Sequence, residues 1–139
     1  MCDKELFERK IMDLYEYRTA VRERMRAEEN LAQYIEAKKS PKAAGGGGSA
    51  AGGSDLSRYM EREEELREEL LQIMEETERI KKEKLRKIEQ IESEDEKDVL
   101  IKKYIYFKPI KEIALELGHS RQHIWRIHRE AIRHYKIDV

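Results

Sequence analysis

The chain has 139 residues and a mass of 16.6 kDa; 42% of its residues are charged, 39% are hydrophobic, and the mean hydropathy is -0.91. Apolar material is too sparse for one compact globule of this length, so much of the chain is expected to be long, narrow, solvated helix. The single cysteine, Cys2, excludes an intrachain disulfide and a thiolate-rich zinc site.

The formal charge of -1 hides an uneven distribution. Val99 to Val139 holds nine Lys and Arg against four Asp and Glu, a balance of +5, which leaves -6 for the rest. A basic end on an acidic stalk points to an anionic partner for that end alone. No apolar run approaches the roughly 18 residues that span a membrane, and "MCDKELFERK" lacks the apolar core of a signal peptide. The expectation is a cytoplasmic protein with no membrane partner.

Residues 1–38 predict an amphipathic helix. Phe7, Ile11, Leu14, Val21, Met25, Ala32 and Ile35 recur at a/d spacing, interrupted by Arg18 and Glu28. A stripe this narrow packs against one partner helix and leaves the rest in water. Residues 39–54, within "KKSPKAAGGGGSAAGGSD", predict a flexible Gly/Ser-rich linker, since each interior helical glycine costs about 1 kcal/mol relative to alanine. Residues 55–92 predict a second long helix, capped by Ser54 or Asp55. Its seam runs through Leu56, Tyr59, Leu66, Leu70, Ile73, Thr77 and Ile80, then drifts to Leu85, Ile88 and Ile91. The two helices suggest an antiparallel hairpin. A hairpin this thin is marginal alone, so a homodimer through the long helices, or docking on another protein such as RNA polymerase, would complete it.

Residues 93–139 predict a small three-helix domain. Ser93 followed by Glu96 reads as a capping box, with Glu94 and Asp95 at the positive end of the helix dipole. That helix offers Val99, Leu100, Ile101, Tyr104 and Ile105 to a core and stops before Pro109. Ile110, Ile113, Ala114 and Leu117 give a two-turn helix an apolar face. Gly118 supplies a left-handed stop, and Ser120 caps a helix from Arg121 to about Tyr135. A short helix, a tight glycine turn and a longer helix make a helix-turn-helix. The fold class is therefore all-α: a long helical hairpin, coiled-coil-like, followed by a helix-turn-helix domain.

On a wheel, the last helix gathers Ile124, Ile127, Ala131 and Tyr135 on one side with Ile132 beside them. The other side collects Gln122, Arg126, Arg129 and Arg133, flanked by Trp125 and His123, with Ser120 and Arg121 at its start. Arginine can bind guanine O6 and N7 through two hydrogen bonds, glutamine can bind adenine, and the later arginines suit phosphates. These eight residues are the candidate DNA-binding set. His119 and His123 have the spacing of a metal pair but lack a third ligand, and Ser120 lacks an oriented base. No catalytic residue, metal or cofactor is expected, and the chain is not expected to be an enzyme.

"IKEIALELGHSRQHIWRIHREAIRHY" resembles the DNA-reading C-terminal domain of sigma factors, whose pattern is an "EIA-x-x-LG-x-S" turn followed by a helix with two spaced aliphatics and "A-[LI]-R". The whole arrangement is similar to phage-encoded transcriptional regulators of the RinA and ArpU type. That resemblance implies double-stranded DNA as partner, Ser120 to Arg129 as the DNA-facing region, and structural roles for Ile124 and Ile127. Trp125, His123 and His128 depart from the family pattern, so no base preference carries over. The resulting expectation is a sequence-specific DNA-binding transcriptional regulator, a phage or prophage late-gene activator. The alternatives are a DNA-packaging component of the small-terminase kind and a coiled-coil adaptor that binds no DNA.

Overall fold

The computed structural model describes residues 2–39 and 52–138. Most of the linker expected at 39–54 lies outside these residues. The elements are α1 (Asp3–Lys39), α2 (Gly52–Glu89), α3 (Glu94–Leu100), which continues as one π-helical turn over Ile101–Ile105, α4 (Ile110–Leu117) and α5 (Arg121–His134). No strand occurs among the described residues, and none of their helices is long and apolar enough to cross a membrane.

Local chemistry accounts for these boundaries. α1 contains neither Gly nor Pro and opens with Asp3 and Glu5 beside its positive dipole end. α2 begins at Gly52, three residues before the expected Asp55, and closes with Arg86 and Lys87 in its last turn. Ser93 Oγ accepts the Glu96 N–H at 3.3 Å, which starts α3. After Leu100 the backbone loosens: the Tyr106 N–H reaches the Ile101 carbonyl at 3.0 Å, five residues back. Phe107 then takes a left-handed conformation at φ 57°, which turns the chain towards Pro109.

The chain forms two compact units that cut across both long helices. One comprises Val21–Glu76. In it Val21, Leu31 and Leu66 are buried, and the Tyr34 hydroxyl donates to the Tyr59 carbonyl at 3.1 Å. Met25, Leu56, Tyr59, Met60, Leu71 and Met74 stay exposed.

The other unit runs up to Ala20 and resumes at Thr77. Here α1 and α2 lie antiparallel: Thr77 donates to the Ala20 carbonyl, and Lys84 pairs with Asp13 at 3.1 Å. Leu14, Tyr17, Ile80, Ile88 and Ile91 are buried between them and the C-terminal helices. Val99, Ile113, Ala114 and Ile124 form the helix-turn-helix core, with Ile110, Leu117 and Ile127 against it.

The expected seams need correction. On α1, Leu14 and Val21 face inward as expected, but their companions are Lys10, Tyr17 and Leu31, each one residue before the anticipated Ile11, Arg18 and Ala32. Tyr17 and Leu31 bury more apolar surface than Arg18 and Ala32 would, and that sets the rotation of the helix. On α2 the drift to Leu85 does not occur. Lys84 lies fully inside, held between Asp13 and Glu16, so the repeat stays near 3.5 residues.

Candidate nucleic-acid interface

Two local devices build the helix-turn-helix. Gly118 adopts φ 69°, ψ 36°, a left-handed stop open to glycine without steric cost, and its N–H bonds the Ala114 carbonyl. Ser120 Oγ accepts the His123 N–H at 3.1 Å, so α5 starts at the next residue, Arg121, with a satisfied cap. Ala114 is buried at the α4–α5 contact, where its small side chain lets the helices approach.

α5 separates two faces. Ile124, His128, Ala131 and Ile132 are buried, and Tyr135 just beyond them is fully enclosed. Arg121, Gln122, Arg126, Arg129 and Arg133 are exposed on the other side, as is the Ser120 cap. His123 is half-buried, its ring edge-on to His119 with centroids 4.5 Å apart. Among the described residues no group of three or more His, Cys, Asp or Glu is placed to hold a metal ion. Trp125 sits at the border between the faces, 46% exposed, with its ring edge-on to His128. The eight candidate residues are thus brought onto one surface of one helix and its cap, with Trp125 at the rim.

Several participants escape the sequence reading. His128 belongs to the inner face, where its Nε2 and the Tyr104 hydroxyl are hydrogen-bonded at 2.7 Å. Burial, then the charges of Lys103 and Arg129, pushes its pKa down to about 4, so it is neutral at physiological pH. Its wheel position is the signal that finds it, four residues from both Ile124 and Ile132. Glu130 lies among the arginines and takes a hydrogen bond from Arg133 at 2.9 Å, which lowers the positive field of the last turn. Arg133 also has its carbonyl held by Lys10 Nζ at 2.8 Å, so α1 fixes the end of α5.

The α5 C-terminus is anchored further. The Tyr135 hydroxyl donates to Asp13 at 2.6 Å, and Asp13 also receives Lys84 and Lys87. Burial alone would raise the Asp13 pKa. The hydrogen bonds from Tyr135 and Lys84, the Lys84 charge and the Lys87 hydrogen bond overcome it, and the carboxyl is held below its usual range. On the opposite edge, His134 Nδ1 meets Glu96 at 2.6 Å, tying α5 to the start of α3.

Compared with family models, curated proteins and solved structures, the chain matches none.

Proposed function

We propose that the protein is a sequence-specific DNA-binding transcriptional regulator of the phage late-gene activator class, acting in the cytoplasm of a bacterial host. One observation carries this reading: a capped helix-turn-helix presents Arg121, Gln122, Arg126, Arg129 and Arg133 outward from a helix whose other side is fully packed. A protein-packing helix would bury that surface or balance it with carboxylates, and only Glu130 lies within it. The first turns of α5 would read base edges in the major groove while the later arginines meet phosphates. The exposed apolar side chains of the Val21–Glu76 unit, Met25, Met60, Leu71 and Met74 among them, support a homodimer through the long helices or a contact with RNA polymerase. Light scattering on the purified chain separates these: a dimer supports the first, a monomer the second, and a large ring would favour DNA packaging.

The deciding experiment is fluorescence anisotropy against a duplex DNA pool at two salt concentrations, followed by selection and sequencing of the bound fraction. Salt-sensitive binding that enriches one motif is the expected result. On that motif Arg126→Ala should cost about 1 to 3 kcal/mol, and less on unrelated sequences. The absence of binding at low salt would overturn the reading.

A further inference from the structure

The lysines around the helix-turn-helix are not equivalent. Lys97 pairs with Glu94 and Glu89, while Lys102 and Lys108 both pair with Glu116. Lys103, on the same turn as Lys102, has no carboxylate within ion-pair distance among the described residues. Its Nζ lies instead over two aromatic rings, 5.4 Å from the Tyr104 centroid and 5.6 Å from Trp125. The sequence explains the isolation. Three and four residues away along the chain stand Val99, Leu100, Tyr106 and Phe107, none of them acidic.

Arg18 of α1 shares the condition. Its neighbours at the same spacings are Leu14, Tyr15, Val21 and Arg22. Its guanidinium lies 6.0 Å from the Phe107 ring, which stacks on Tyr17. The Arg18 side chain is exposed and Lys103 is half-buried. Burial, then the nearby charge of Arg18, pushes the Lys103 pKa down, and among the described residues neither cation has a carboxylate within ion-pair distance. Phe107 is held in a left-handed conformation, unfavourable for a bulky side chain, at the point where it meets Arg18 and Tyr17. Aromatic walls screen less than water does, so an anion arriving here gains more from the two charges than it would at an open lysine.

We propose that Arg18 and Lys103, flanked by Phe107 and Trp125, form a phosphate clamp that grips the DNA backbone beside α5. The ligand chemistry is a phosphodiester, and its source is duplex DNA. The inference rests on the DNA-binding reading and extends it: α1 contributes directly to the nucleic-acid surface, and Trp125 lines the backbone site. Contacts of this kind fix the register of a reading helix and carry no sequence information, so the clamp should act equally on all sequences.

Trp125 is the only tryptophan in the chain and therefore reports on its own surroundings. The test uses the full chain with Lys103→Met, Arg18→Gln and both together, and Lys82→Gln on α2 as a control for the loss of one positive charge. Binding to a non-specific duplex is followed by anisotropy over a salt series and by Trp125 emission, after thermal melts establish that each variant is folded. Each clamp substitution is expected to lower the log-log salt slope by about 1, and Lys82→Gln to leave it unchanged. Duplex DNA should change Trp125 emission in the parent and much less in Lys103→Met. Inorganic phosphate at tens of millimolar provides the second arm. If it shifts Trp125 emission in the parent while the clamp variants keep the parental DNA slope, the site takes a free anion and the DNA assignment is overturned. Parental slopes and emission changes in both variants overturn the clamp and leave the DNA reading standing. A parent chain that does not bind duplex at all overturns both.

Discussion

His128 shows how one side chain can be chemically silent and still set a pH limit. It is 5% exposed, hydrogen-bonded to Tyr104, with Trp125 against its ring. Its pKa falls from 6.5 to about 4, first because burial disfavours the imidazolium and then because Lys103 and Arg129 repel it. In the unfolded chain the ring protonates near 6.5, so the unfolded state holds more protons between pH 6.5 and 4. Stability from this group is complete above 6.5 and declines as pH falls to about 4, by about 3 kcal/mol as an order of magnitude. Asp13, whose pKa is lowered, acts in a different window. Its contribution is present above the unfolded value of 3.8 and is lost only at lower pH. Urea midpoints measured from pH 7 to 4 should therefore fall in the parent and fall less steeply in His128→Gln. Parallel slopes in the two proteins would remove His128 as the cause.

At the scale of elements, the turn between α4 and α5 is the part most exposed to a single substitution. A Cβ added at Gly118 meets nothing within 4 Å, so the cost of Gly118→Ala is confined to the backbone at φ 69°. About 1 kcal/mol of stability should be lost in urea unfolding, with Gly118→Asn losing less because asparagine tolerates the left-handed region. An alanine variant as stable as the parent would show that the turn relaxes to another geometry. This turn was legible in the sequence because its signals are local: a glycine stop, a serine two residues on, and apolar spacing on both sides. The Ser93 start of α3 and the outward arginines of α5 were legible for the same reason. The seam of α1 was not, because two stripes one residue apart, Ile11–Arg18–Ala32 and Lys10–Tyr17–Leu31, each carry two apolar residues and one cation. The choice between them depends on what Tyr17 meets, and its partner Phe107 lies ninety residues away. The π-helical turn and the left-handed Phe107 were equally hidden, since no residue in "IKKYIYFKP" favours either conformation on its own. Lys103 and Arg18 lie outside the candidate set because, although the lack of acidic neighbours at helical spacing is local, the packing of Arg18 on Phe107 and of Lys103 on Trp125 depends on residues distant in the chain.

For the molecule as a whole, the helix-turn-helix shares its compact unit with the first half of α1 and the end of α2, and Asp13 is the knot. It accepts Lys84 from α2, itself fully buried, and the Tyr135 hydroxyl from just past the end of α5. Tyr15 adds an edge-on ring contact to Tyr104 at 5.3 Å, and Lys10 holds the Arg133 carbonyl. Replacing Asp13 with alanine leaves the buried Lys84 ammonium with Glu16 at 3.0 Å and Glu83 at 3.7 Å, and an enclosed tyrosine hydroxyl without its acceptor. Because Lys84 keeps Glu16, its charge is not stranded, and the loss should stay below the roughly 3 to 5 kcal/mol of a buried charge left without a partner. Tyr135→Phe preserves the ring and removes one hydrogen bond, so about 1 kcal/mol is expected there. The two changes should be non-additive, since Asp13→Ala already deprives the hydroxyl of its partner. Because the knot ties α1 to the end of α5, the destabilised Asp13→Ala chain should unfold in a single transition that takes Trp125 fluorescence and helical circular dichroism together. If Trp125 reports an unfolding step at unchanged urea while only the helical signal shifts, the helix-turn-helix is stable without α1, and the tie through Asp13 does not hold it.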